Sequence, residues 1–129
     1  MFNRYIGVRE MALSFHERLL GGWIPLQNKE KENEMLKIAL VRANEATNCY
    51  YVQNIVKVLD AQQQLVDGMN YKLTFELGPT NCKLQSTNLD NINHCVPSND
   101  KNIEICNVVI WQKVWLNQTT ITHFDCVKK

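Results

Sequence analysis

An excess of charge of either sign is missing from this sequence, where 14 Lys+Arg stand against 13 Asp+Glu. A near-neutral chain lacks the basic surface that grips phosphates, so no nucleic-acid partner is expected. It is also no acidic, disordered tail, because 45% of its residues are apolar and disorder needs low hydrophobicity with high net charge. No apolar run approaches the roughly 20 residues that cross a bilayer as a helix, so no membrane partner is expected. The first stretch makes a poor secretory leader, since Arg4, Arg9, Glu10, His16, Glu17 and Arg18 interrupt any apolar segment. No pair of cysteines has the C-x-x-C spacing of a zinc knuckle or a redox site. His16, His94 and His123 are scattered without a second ligand at metal spacing and read as surface or strand residues. Neither metal nor cofactor is therefore expected. No nucleophile, base and oxyanion donor come together in the pattern, so the chain does not read as an enzyme.

What is present suits one domain: 129 residues with enough apolar side chains for a core. Five cysteines occur, Cys49, Cys82, Cys95, Cys106 and Cys126. Five reduced thiols in a cytosolic protein are one reading. The favoured reading is a disulfide framework outside the cell, where small bridged domains belong. Spacing alone leaves nested, crossed and sequential pairings of the last four open. Sequential pairing would close two modest loops, each contributing about 3 kcal/mol by restricting the unfolded chain. Cys49 is the odd thiol, which points to an intermolecular bridge or a buried free sulfhydryl.

Along the chain, Leu19-Leu20-Gly21-Gly22 punctuates an aperiodic start and Pro25 follows. From Lys29 to Ala46 the apolar residues Leu36, Ala39, Leu40, Ala43 and Ala46 fall at helical spacing. Glu30, Glu32 and Glu34 lie toward the start, where the helix dipole favours carboxylates. Residues 50–62 have strand composition, with Val52, Val56 and Val58 assigned to one face and Ile55 and Leu59 to the other. Residues 69–77 alternate strictly, with Met69, Tyr71, Leu73, Phe75 and Leu77 against Asn70, Lys72, Thr74 and Glu76. Asp67-Gly68 between these runs predicts a hairpin. Residues 78–102, opened by Gly78-Pro79, read as loop. Residues 103–114 and 119–126 return to strand, the latter with Thr119, Ile121 and His123 on one face and Thr120, Thr122 and Phe124 on the other. Val114-Trp115-Leu116-Asn117-Gln118 forms the hairpin tip between them. An extended segment, one helix and four antiparallel strands make an α+β domain in which the helix covers the sheet's apolar face.

Taken singly, the glycines, Val66 and Trp115 are ordinary turn and hairpin residues. In order, Gly21 after Leu19-Leu20, the Q-x-V-x-G run Gln64-Leu65-Val66-Asp67-Gly68, and Trp115 in a later hairpin resemble the cystatins. Asn70-Tyr71-Lys72-Leu73, Glu76-Leu77-Gly78 and Asn88-Leu89-Asp90-Asn91 look like the secreted, disulfide-bonded (type 2) branch of that family. The resemblance covers residues 19–129 and leaves 1–18 as an N-terminal extension. It implies an antiparallel five-stranded sheet wrapped around one long helix, with bridges Cys82–Cys95 and Cys106–Cys126. It implies a secreted, extracellular inhibitor of papain-like cysteine proteases such as cathepsins. The inhibitor's wedge would consist of Leu19, Leu20 and Gly21, the Gln64–Gly68 turn, and Val114 and Trp115. Gly21 would free the chain to bend, Gly68 would take a positive φ, and Trp115 would supply apolar contact.

Departures from the family pattern also matter. Pro-Trp is Val114-Trp115 here, which removes a fixed φ, and Asp67 places a carboxylate at the tip. Some members inhibit legumain through an Asn in a Ser-Asn-Asp turn; here the matching Thr47-Asn48-Cys49 keeps Asn48 alone, and a helix C-cap is the competing role. Asn117-Gln118-Thr119 is a glycosylation sequon beside Trp115. These departures support an alternative, a non-inhibitory cystatin-like protein of reproductive-tract type. It would act through another partner or through self-assembly as a domain-swapped or Cys49-linked dimer.

Overall fold

The computed structural model describes residues 22–98 and 102–129. Leu19, Leu20, Gly21 and the extension 1–18 lie outside the described residues. Element order is β1 (Ile24–Pro25), α1 (Lys29–Glu45), β2 (Tyr51–Leu65), β3 (Met69–Lys83), β4 (Glu104–Lys113) and β5 (Gln118–Lys128). The strands form one sheet in the order β1-β2-β3-β4-β5 with every neighbouring pair antiparallel. The extended segment expected before the helix is the first strand of that sheet.

Helix α1 starts where Asn28 caps it: the Asn28 Oδ1 accepts from the Lys31 N–H at 3.1 Å, satisfying one orphan donor of the first turn. Met35, Leu36, Ala39, Leu40 and Ala43 are buried on one face. Met35, fully buried, joins the expected stripe one residue before Leu36. Ala46, expected on that stripe, is an exposed C-cap, because the helix ends at Glu45. Buried Asn44 ties the helix end to β2. Its Nδ2 donates to the Gln53 and Leu40 carbonyls and its Oδ1 accepts from the Gln53 N–H at 2.8 Å. A polar group this deep is stable only because both ends are satisfied.

The strict alternation of β3 is realised, with Tyr71, Leu73, Phe75 and Leu77 buried under the helix. The faces of β2 differ from expectation. Val52, Ile55, Val58 and Ala61 pack against the core, whereas Val56 and Leu59 are exposed. Register shifts between Ile55 and Lys57 and between Val58 and Asp60 each insert a residue and reverse the parity of the residues beyond. The same correction applies to β5. Ile121 and Phe124 both pack against the core because the pairing slips between Val109 and Ile110. The loop expected from residue 78 begins as strand, since β3 runs to Lys83. Pro79 is tolerated because β4 pairs β3 only as far as Leu77, so the missing N–H falls beyond the ladder with β4.

Disulfides Cys82–Cys95 and Cys106–Cys126 are both formed, as the resemblance implies. The first anchors the segment after β3, placing Ile92 and Cys95 in the core. The second joins residues directly opposite one another on β4 and β5. Cys49 is free and exposed rather than buried.

Candidate functional site

Antiparallel succession puts the β2–β3 and β4–β5 turns at the same end of the sheet. Strand β1 adds to that end, because Ile24 stands opposite Gln63 and so the described chain starts beside the β2–β3 turn. Leu65 pairs with Met69, and Val66, Asp67 and Gly68 make the turn between them. Asp67 (φ 45°) and Gly68 (φ 107°) are both left-handed, so the positive φ expected for glycine is shared with its neighbour. Gly68 is buried, and a Cβ there would lie 2.5 Å from the Gln112 carbonyl oxygen. The first turn thus rests on the backbone of β4.

The second tip is a single 3-10 turn, Val114–Leu116, followed by left-handed Asn117, whose N–H donates to the Val114 carbonyl at 3.0 Å. Val114 is 72% exposed, Trp115 65% and Leu116 57%, so this apolar trio faces solvent instead of the core. Leu65 and Val66 are exposed on the neighbouring tip. Large apolar side chains clustered in solvent mark an interaction surface rather than a folding device. Leu116 belongs to this surface although sequence reasoning passed over it; the unbroken Val114-Trp115-Leu116 run at a strand end was the available signal.

The charged residues of the two tips neutralise each other. Lys113 Nζ lies 2.8 Å from the Asp67 carboxylate and 4.6 Å from the centre of the Trp111 ring. Trp111 Nε1–H donates to both the Val66 and Asp67 carbonyls at 3.1 Å. Trp111, which lies in the run 103–114 that reads only as strand, is therefore part of the site's framework; nothing in the local pattern of β4 distinguishes it. Gln112 links the tips to the helix, accepting from Lys31 Nζ at 3.2 Å and donating to Glu34 and Thr119. Lys31, foremost, and Gln112 hold the Glu34 carboxyl below its usual range against the opposing effect of burial. Burial pushes the neighbouring Tyr71 phenol up.

The remaining candidates lie elsewhere. Asn48 is exposed beyond the helix and does not cap it; Ala46 does. Its turn is held by Thr47, whose Oγ1 accepts from the Cys49 N–H at 3.2 Å. Asn117 is exposed at the tip, with the sequon's Thr119 hydroxyl accepting from Gln112. His94 near Cys82 and Cys95, and Glu104 near Cys106 and Cys126, form close groups, but their sulfurs are spent in disulfides.

Comparison with known proteins gives a consistent result. The family model of the Cystatin domain matches residues 21–115. Cystatin-1 of Chilobrachys guangxiensis is 34% identical over 110 residues, covering 82% of this chain and 80% of its own. Cystatin-C of Bos taurus is also 34% identical over 110 residues, covering 84% and 74%. Among solved structures, Al-CPI superposes with a TM-score of 0.73 at 34% identity, covering 84% of this chain and 100% of that one. The salivary cystatin of the soft tick Ornithodoros moubata gives 0.66 at 30% identity, covering 83% and 97%.

Proposed function

This chain belongs to the cystatin family, and from that premise we propose that it is a reversible, tight-binding inhibitor of papain-like cysteine proteases, cathepsins among them. The observation that supports this reading best is the pair of apolar tips, Leu65-Val66 and Val114-Trp115-Leu116, exposed side by side at one end of a bridged sheet. Such tips fit a protease cleft without offering it an extended peptide to cut. Binding is non-covalent: the tips fill the cleft and exclude substrate. Leu19, Leu20 and Gly21 form the third part of the wedge in this proposal, within a domain spanning 19–129. Trp115 is the main anchor, since a large, exposed aromatic side chain becomes fully desolvated on binding. Two disulfides suit work outside the cell. Exposed Asn48 is the residue on which inhibition of legumain would depend, at the other end of the molecule.

Titration of papain and of cathepsins B, L and S with the oxidised chain tests the reading, with Trp115→Ala alongside. Stoichiometric inhibition by the unaltered chain, weakened roughly 30-fold by the variant, is expected for an anchor worth about 2 kcal/mol. No inhibition of any of the four enzymes overturns the reading.

A further inference from the structure

We propose that Trp111 and Lys113 are positioning residues that fix the first tip against the second, so that the two enter a cleft as one preformed unit. This rests on the inhibitor reading and adds to it the residues that hold the wedge in shape. The turn at Asp67 and Gly68 is left-handed at both positions, a backbone state that persists when its surroundings determine it. Three contacts do so. The indole N–H of Trp111 bridges the carbonyls of Val66 and Asp67. The Lys113 ammonium is held between the Asp67 carboxylate and the Trp111 ring face. The Gly68 backbone lies against Gln112 and the Lys113 side chain, leaving no room for a Cβ.

An exposed ion pair alone contributes little. Here the lysine side chain is only 17% exposed and is shared by a carboxylate and an aromatic face, so the contacts act together. The arrangement also answers the charge problem at the tip. Lys113 pairs with the Asp67 carboxylate at 2.8 Å, so its charge is offset within the tip although the Asp67 side chain stays exposed. A tip already ordered in the free protein saves the cost of ordering it on binding.

The test uses the full oxidised chain. Amide hydrogen exchange of residues 65–69 is followed in the free protein, and inhibition of papain is titrated in parallel. The variants are Trp111→Phe, which keeps an aromatic ring but loses the N–H, Lys113→Met, Lys113→Arg, Asp67→Asn, and Asp67→Asn combined with Lys113→Met. Trp111→Phe and Lys113→Met are each expected to speed exchange at the tip and to weaken inhibition about tenfold. Lys113→Arg retains both properties, and the paired variant is no worse than Lys113→Met alone. Unchanged exchange overturns the proposal, whatever happens to inhibition, because a loss of affinity would then come from direct contact. Faster exchange without weaker inhibition overturns the role in binding. An unaltered chain that inhibits none of papain and cathepsins B, L and S sinks the inhibitor reading; an unaltered chain that inhibits, with variants that match it, sinks only this proposal.

Discussion

Gly68 shows how one residue couples backbone conformation to the relation between the two tips. At φ 107°, with the Gln112 oxygen 2.5 Å from where a Cβ would lie, alanine is excluded by torsion and by contact. Gly68→Ala is expected to cost about 1–3 kcal/mol in urea unfolding, and to weaken papain inhibition. Asn44 is a second such residue, remote from the tips. Replacing it by alanine strands the Gln53 N–H and carbonyl in the interior, and an unsatisfied buried group costs about 1–3 kcal/mol. Urea unfolding of Asn44→Ala measures this, and papain inhibition by the folded fraction is expected to stay unchanged.

At the level of elements, the helix reaches the second hairpin through Lys31, Glu34 and Gln112. Folding lowers the Glu34 pKa, chiefly through its hydrogen bond from Lys31. A group whose folded pKa is depressed stabilises the fold above its unfolded pKa, and that contribution fades as pH falls through the folded value. Stability measured at neutral pH and at the acid end of the carboxylate range should therefore differ less in Glu34→Gln than in the unaltered chain. The effect is small because the side chain is half exposed. Strands β4 and β5 carry a larger contribution. The Cys106–Cys126 bridge closes a separation of 20 residues, so converting both cysteines to serine should cost about 3 kcal/mol, read as a lower thermal midpoint.

Across the whole molecule, β2 separates two ends with different chemistry. Cys49 precedes its start and the Gln64–Gly68 turn forms at its finish. Its 15 residues, at about 3.3 Å each, put the exposed thiol on the order of 45 Å from the tips. Native alkylation should therefore modify one thiol per chain, since the other four are bridged. Papain titration of the alkylated protein should match that of the untreated protein. Inhibition lost on alkylation would contradict this separation of the two ends.

The helix stripe through Leu36, Ala39, Leu40 and Ala43, the alternation of β3 and the Asp67-Gly68 turn were all determined by sequence, because each depends on neighbours within a few residues. Cysteine spacing left the pairing open. Family resemblance implied one pairing, and the β4–β5 register makes Cys106 and Cys126 direct partners. Only tertiary structure decided which residues of β2 and β5 face inward, since a bulge is defined by the partner strand and reverses every side chain beyond it. For the same reason Trp111 looked like any strand residue. Its two hydrogen bonds go to Val66 and Asp67, 45 and 44 residues away in the chain, and a contact across two hairpins leaves no period in the sequence of either one.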